Sequence, residues 1–259
     1  MSDEPVFALS DGRFVASKLA RGPWGPNAQH GGAPAALLMR AFEELPSADG
    51  LALARVTYEL LRPAPIGPVE VHAEVVRPGR RVELLEGSMV AGGAEVVRAR
   101  ALRVRRAQAP AAGDGGGGLP VPGPDDGRAL ELVPPFRPMF APDAVEIRFV
   151  VGTWGRGPCT AWFRLRRPLV SGETPTPLQH LAAAGDFGNG ISAALSWDEY
   201  LFINPDLTLY VEREPVGEWI CLQSQTRIAA DGIGIAESVL YDSRGRVGRA
   251  TQALLVAPR

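Results

Sequence analysis

The sequence predicts an α+β chain made of two copies of one small domain, each a long helix lying on an antiparallel sheet. Three observations carry this reading. Residues 51–105 and 206–256 repeat one another: Thr57 to Arg62 in LARVTYELLRP matches Thr208 to Arg213 in NPDLTLYVEREP, an offset of 151 from 57 to 208. Pro65-Ile66-Gly67 matches Pro215-Val216-Gly217, and Arg77 matches Arg227, both at an offset of 150 (65 to 215, 77 to 227). Second, each copy closes alike, on a turn (Gly92-Gly93 or Ser243-Arg244-Gly245) and an apolar strand ending ALRV or ALLV. A period this long exceeds the roughly 20–50 residues of solenoid repeats, so two domains rather than an array are implied. Third, a Gly/Pro-rich stretch separates the copies.

The first copy opens with a short strand near Phe14–Lys18 and a loop, GPWGPNAQHGG, that leads into the apolar-dominated helix APAALLMRAFEEL. Pro34 suits a first helical turn and not a helix interior. Four strands follow at about 52–62, 68–77, 81–91 and 94–105, where VEVHAEVV and AEVVRARALRV carry the β-branched content and partial alternation of a sheet covered on one face. One helix followed by an antiparallel meander forms a two-layer unit. The linker, 108–143, contains four consecutive glycines, Gly115 to Gly118, and alternating prolines, a composition expected to be mobile. No GK[ST] follows the glycines, so a phosphate loop is not indicated. The expected domains are therefore 1–107 and 144–259. The second begins near Val145 with VEIRFVV and CTAWFRLRRP, continues in a helix over roughly 177–196 and ends in four strands finishing at Val256.

Composition narrows the class. A 46 % hydrophobic content over 259 residues fills two cores. A formal charge of −2 offers no electrostatic case for nucleic acid or an acidic membrane surface. Cys159 and Cys221 lack CxxC spacing and read as free buried thiols in a reducing cytosol. The N-terminus has no basic and apolar leader pattern and no run approaches 18 apolar residues, so a cytoplasmic protein without a membrane span is expected. His30, His72 and His180 lack metal-ligand spacing, no cofactor motif is present, and no GxSxG elbow or Cys–His pattern suggests a covalent nucleophile.

Chemistry can be placed where the copies differ. Aligning His30 with Pro177 sets Asp186 against Met39, an acid in place of an apolar residue, among the small residues Ala182 to Gly185, Gly188 and Gly190. Asp is a poor helix former, and Asp186 also reads as a cap restarting a helix after Gly185. Gln252 interrupts the otherwise apolar last strand of the same copy, facing either solvent or a backbone partner. In FINPDLTLY, Asn204 offers a carboxamide, while Asp206 reads as a turn residue after Pro205.

Together, QHGGAPAALLM, LLRPAPIGPVEV, HLAAAGDFGN, FINPDLTLYVEREPVGEWI and GRVGRATQALLV resemble the double hot-dog acyl-CoA thioesterases, the thioesterase II group, over nearly the whole chain apart from the linker. The resemblance implies tandem hot-dog domains with their sheets joined edge to edge, an acyl-CoA substrate and a possible homo-oligomer of double units. It implies that Asp186, Gln252 and Asn204 bind the water that attacks the thioester. That family carries a threonine at the third position, so Asn204 is a departure and Thr208 is the alternative if the local alignment slips. Asp186 would be the base, and a backbone amide at Gly185 or Leu178 the oxyanion donor. His30-Gly31-Gly32 either presents a ligand site at the head of the first helix or only permits a tight entry into it. Gly185 lies beside the acid, and Arg80 and Arg81 either meet a CoA phosphate or lie solvated in a strand turn. A hot-dog hydratase or dehydratase acting on CoA or carrier-protein thioesters, which needs a His with an acidic partner, and a non-catalytic acyl-CoA-binding protein are the alternatives.

Overall fold

The structure, a computed structural model, describes residues 4–10, 12–108, 121–130 and 137–259. The first half runs β1 (Phe7–Ser10), β2 (Arg13–Ala16), α1 (Gly32–Glu44), β3 (Leu51–Leu60), β4 (Gly67–Arg77), β5 (Val82–Ala91) and β6 (Ala94–Arg105). The second runs β7 (Arg128–Ala129), β8 (Val145–Val151), β9 (Cys159–Leu165), α2 (Pro177–Gly185), α3 (Gly188–Ser192), β10 (Tyr200–Ile203), β11 (Asp206–Val211), β12 (Ile220–Ile228), β13 (Ile233–Asp242) and β14 (Gly245–Pro258). The strands form one antiparallel sheet in the order β1-β2-β4-β5-β6-β3-β11-β14-β13-β12-β9-β8-β7, with β10 on β14. Among the described residues no helix is long and apolar enough to cross a membrane.

The two halves join where the repeat is strongest. β3 and β11 pair antiparallel with Thr57 opposite Thr208, Arg55 opposite Tyr210 and Glu59 opposite Asp206. The repeat-matched pair Thr57 and Thr208 face each other, while the flanking pairs exchange, Arg55 facing the match of Glu59 and Glu59 the match of Arg55, which is the signature of a local two-fold through the two threonines. Joining the halves here converts two sheet edges into one continuous ladder and removes exposed backbone donors and acceptors. On β11, Leu207 and Leu209 are buried while Thr208 points to the other face, as the two-residue strand period requires.

The helices cross antiparallel on the covered face. Every residue from Gly32 to Met39 is buried, as is Phe42, so α1 is apolar almost all round and sits inside the layer. A Cβ at Gly32 would fall 2.4 Å from the carbonyl oxygen of Ala183, so only glycine lets the start of α1 rest on the end of α2. Arg40 leaves the core through paired bonds to Glu173 at 2.6 and 2.8 Å.

Three expectations are corrected. An additional strand, β1, precedes the one read from sequence, and it ties the halves together, since Phe7 N donates to Leu169 O at 2.8 Å. The 177–196 helix is instead two pieces broken at Asp186 and Phe187: three glycines and an aspartate within six residues weaken helix propensity, and Phe187 turns into the core. The glycine run 115–118 lies outside the described residues, but residues 121–130 of the linker are docked: Trp162 Nε1 donates to Pro122 O at 2.7 Å and β7 extends the sheet beside β8.

Candidate active site

Asp186 stands at the break between α2 and α3, held there by backbone at φ −80°, ψ −3°. Its Oδ1 accepts from Asn204 Nδ2 at 2.8 Å and from Gln252 Nε2 at 3.0 Å. Its Oδ2 lies 3.1 Å from His30 Nδ1, and the two side chains are only 6 % and 13 % exposed. A carboxylate this withdrawn from water needs such donors to offset its desolvation. It does not cap α3. Gln252 does, since its Oε1 accepts the amide N–H of Asn189 at 3.2 Å, and this second bond fixes the amide with its nitrogen toward the acid.

Each partner comes from a different element. Gln252 is on the buried face of β14, Asn204 is in the turn between β10 and β11, and His30 closes the loop before α1. The imidazole stacks on Phe187 at 4.3 Å between ring centroids and lies 5.3 Å from Phe140. Gly31 is required here, because a Cβ on it would fall 2.7 Å from Asp186 Oδ2. His30 Nδ1 also lies 3.1 Å from the Gly32 amide nitrogen. One ring nitrogen cannot accept from that amide and donate to the carboxylate at once, so the His30–Asp186 contact requires a proton on one member or the other. This His–acid pair is formed across the two halves; within either half alone no such pair was readable.

His30, Asp186, Asn204 and Asn189 are among the residues lining a cavity of about 620 Å³, within the range of a small-molecule site. Phe187, Met139 and three tryptophans, Trp24, Trp154 and Trp197, form much of the rest. The aromatic lining and Asn189 were missed from sequence; the cluster of Gly, Pro and Trp in the loop before His30 was the signal available for Trp24.

Other expected site residues lie elsewhere. Thr208 is on the opposite sheet face from Asp186 and donates to Thr57 Oγ1 at 3.1 Å, so it is a joint residue. Gly185 faces the sheet, where a Cβ would meet Leu209 Cδ2 at 2.6 Å, and Leu178 is at the far end of α2, about 12 Å away at 1.5 Å per residue. Arg80 and Arg81 sit in the β4–β5 turn at the Leu51 end of β3, whereas Asn204 is at the Leu60 end, roughly 30 Å along the strand. Asp206 opens β11 and accepts from Ala253 N at 2.7 Å instead of closing a turn. His180 accepts from Leu165 N at 3.1 Å, and burial, with Arg164 nearby, pulls its pKa down to about 4.

A helix pair laid on one continuous antiparallel sheet, with an acid held where the helices meet, defines a tandem hot-dog protein. The chain belongs to the acyl-CoA thioesterase family: residues 20–104 match the family's N-terminal domain and residues 117–256 its C-terminal domain. It is an acyl-CoA thioesterase-family enzyme, and its general chemistry is thioester hydrolysis. Solved structures agree on the fold. A conserved protein of unknown function with a hot-dog fold from Alicyclobacillus acidocaldarius is 18 % identical, with 97 % of this chain and 95 % of that one covered and a TM-score of 0.74. A protein described as a thioesterase II from Thermobifida fusca is 20 % identical over 96 % of this chain and 94 % of that one, at a TM-score of 0.69. The acyl-CoA thioesterase II TesB2 from Mycobacterium marinum is 16 % identical over 90 % of each chain, at 0.63. No curated protein matches the sequence.

Proposed function

We propose that the chain hydrolyses acyl-CoA to the free acid and CoA with a water activated by Asp186. The observation that carries this is the carboxylate itself: one oxygen is held by Asn204 and Gln252, and the other faces His30 in the lining of a ligand-sized cavity. Asp186 takes a proton from the water as its oxygen adds to the thioester carbonyl. For Asp186 to act as base, the proton of its contact with His30 sits on Nδ1, which leaves the Gly31 and Gly32 amides at the start of α1 as donors for the oxyanion that develops. Collapse of the tetrahedral adduct expels the CoA thiolate, which takes back the proton. Asn204 and Gln252 bond Asp186 directly, so their part is to aim the carboxylate. The sequence had suggested that they hold the water.

The His30–Asp186 contact favours a second reading, in which the pair moves a proton to or from the carbon chain of an enoyl or hydroxyacyl thioester. A thiol-release assay across an acyl-CoA panel, run beside a 2-enoyl-CoA whose conjugated absorbance is followed, separates the two. Thiol release from saturated esters is expected. Loss of enoyl absorbance without thiol release would replace hydrolysis by hydration.

A further inference from the structure

Three of the chain's five tryptophans converge on the one cavity that holds Asp186. They arrive on the segments that bring the reactive groups. Trp24 precedes His30 in the loop before α1, and Trp197 precedes Asn204 beside β10. Trp154 reaches in from the β8–β9 turn to lie over Gly190, where a Cβ would be 3.5 Å from its ring. Gly190 follows Asp186 by four residues on the α3 side, about one helical turn or 6 Å away. Trp154 therefore lies within a few atoms' reach of a carbonyl attacked at Asp186. The adenine of CoA, at the remote end of the pantetheine arm, is not the group at that depth.

Trp197 is seated against its neighbours, while Trp24 is 46 % exposed. Trp197 packs on Phe202 with ring centroids 4.5 Å apart and an interplanar angle of 52°, and Trp24 lies 6.1 Å from Trp197 at 53°. Gly155, at φ +63°, lets the Trp197 ring approach backbone where a Cβ would fall 2.7 Å from Nε1. Trp197 thus forms a tilted, preset face, with the more exposed Trp24 set at an angle to it. A saturated chain gains from such walls only what any apolar surface offers. A planar acyl group also gains stacked or edge-to-face contacts, roughly 2- to 12-fold in affinity for each aromatic pair.

We infer that the preferred substrates carry an aryl acyl group of the benzoyl or phenylacetyl class, with Trp154 and Trp24 setting that preference. This rests on the Asp186 site as assigned above. The test compares kcat/KM for phenylacetyl-CoA and octanoyl-CoA, which have equal carbon counts in the acyl group, and the affinity of both for the Asp186→Asn protein by quenching of tryptophan fluorescence. Phenylacetyl-CoA should lead at least ten-fold in both. Trp154→Leu should bring the two esters to within about two-fold, and Trp24→Leu should narrow the ratio less. Octanoyl-CoA hydrolysed as fast or bound as tightly would overturn the inference, as would a Trp154→Leu protein with the ratio unchanged. Should no ester release thiol while phenylacetyl-CoA still binds ten-fold tighter, the hydrolytic reading falls and the aryl site stands.

Discussion

The antiparallel helix pair buries a carboxylate at each of its two ends, and the two ends differ in what surrounds the acid. At one end Asp186 is met by two carboxamides and an imidazole and opens into the tryptophan-lined cavity of about 620 Å³. At the other, Glu43 of α1 accepts from Thr176 Oγ1 at 2.8 Å and from Gln179 Nε2 at 2.9 Å, beside a hollow of about 270 Å³ with Arg103, Arg106 and Glu214 in its walls. The sequence alignment set Asp186 against Met39 and left the first copy without an acid; the acid is there, one turn later. Arg103 is already committed to Glu83 at 2.8 Å and to three backbone carbonyls. Duplication thus produced two places for an acid between helices. Only one combines a histidine, amide donors and a ligand-sized apolar chamber, so the surroundings and not the carboxylate distinguish a reactive end from a structural one.

That contrast predicts its largest effect at Asp186. Asp186→Asn keeps the volume and removes the base, so kcat should fall by roughly 10²–10⁴. Glu43→Gln, which keeps an acceptor for Thr176, should stay within a small factor of the parent. Equal losses in the two variants, read by thiol release, would break the comparison.

Gln252→Ala and Asn204→Ala each remove one bond that aims the carboxylate, and each should lower kcat by roughly 10- to 10²-fold, the scale of a hydrogen bond to a charged group. A loss in KM alone would mean that they contact substrate without orienting the acid.

Stability against pH separates the two buried groups on α1 and α2 by sign. Burial raises the pKa of Glu43, against the lowering effect of Gln179 and Thr176, so the folded state holds that proton more tightly than the unfolded state. Its contribution is present at low pH and is lost as pH rises through the raised value. The pKa of His180 is instead lowered from 6.5 to about 4, so its contribution is present above 6.5 and is lost as pH falls toward 4, at up to about 1.4 kcal/mol per pH unit. Urea unfolding of His180→Gln between pH 7 and pH 5 should show a shallower loss than the parent. An unchanged slope would mean that the imidazole titrates alike in both states.

The smallest effect is expected at the joint. Thr208→Val loses the bond to Thr57 and should cost about 0.5–1.5 kcal/mol of stability with little change in kcat. A large fall in kcat would return Thr208 to the reactive site.

The sequence by itself determined the duplication, the helix-on-sheet unit and the candidacy of Asp186 and Gln252. These are legible because periodicity records which face of an element is buried, and a polar residue that breaks an apolar pattern stands out against its repeat. Asn204 was legible as a carboxamide in the loop before the repeated strand, but its role at the site came only from the family resemblance. Tertiary structure alone decided that Thr57 and Thr208 meet at a two-fold joint and that Asp186 sits at a helix break. It also paired His30 with an acid 156 residues away (30 to 186), placed Glu43 where no acid was read, and sent Arg80 and Arg81 to the far end of the strands. The physical reason is that a local pattern fixes the direction of a side chain relative to its own element. Which element ends share a cavity follows from how two domains pack, and that packing depends on contacts such as Gly32 on Ala183, whose partners are far apart in the chain.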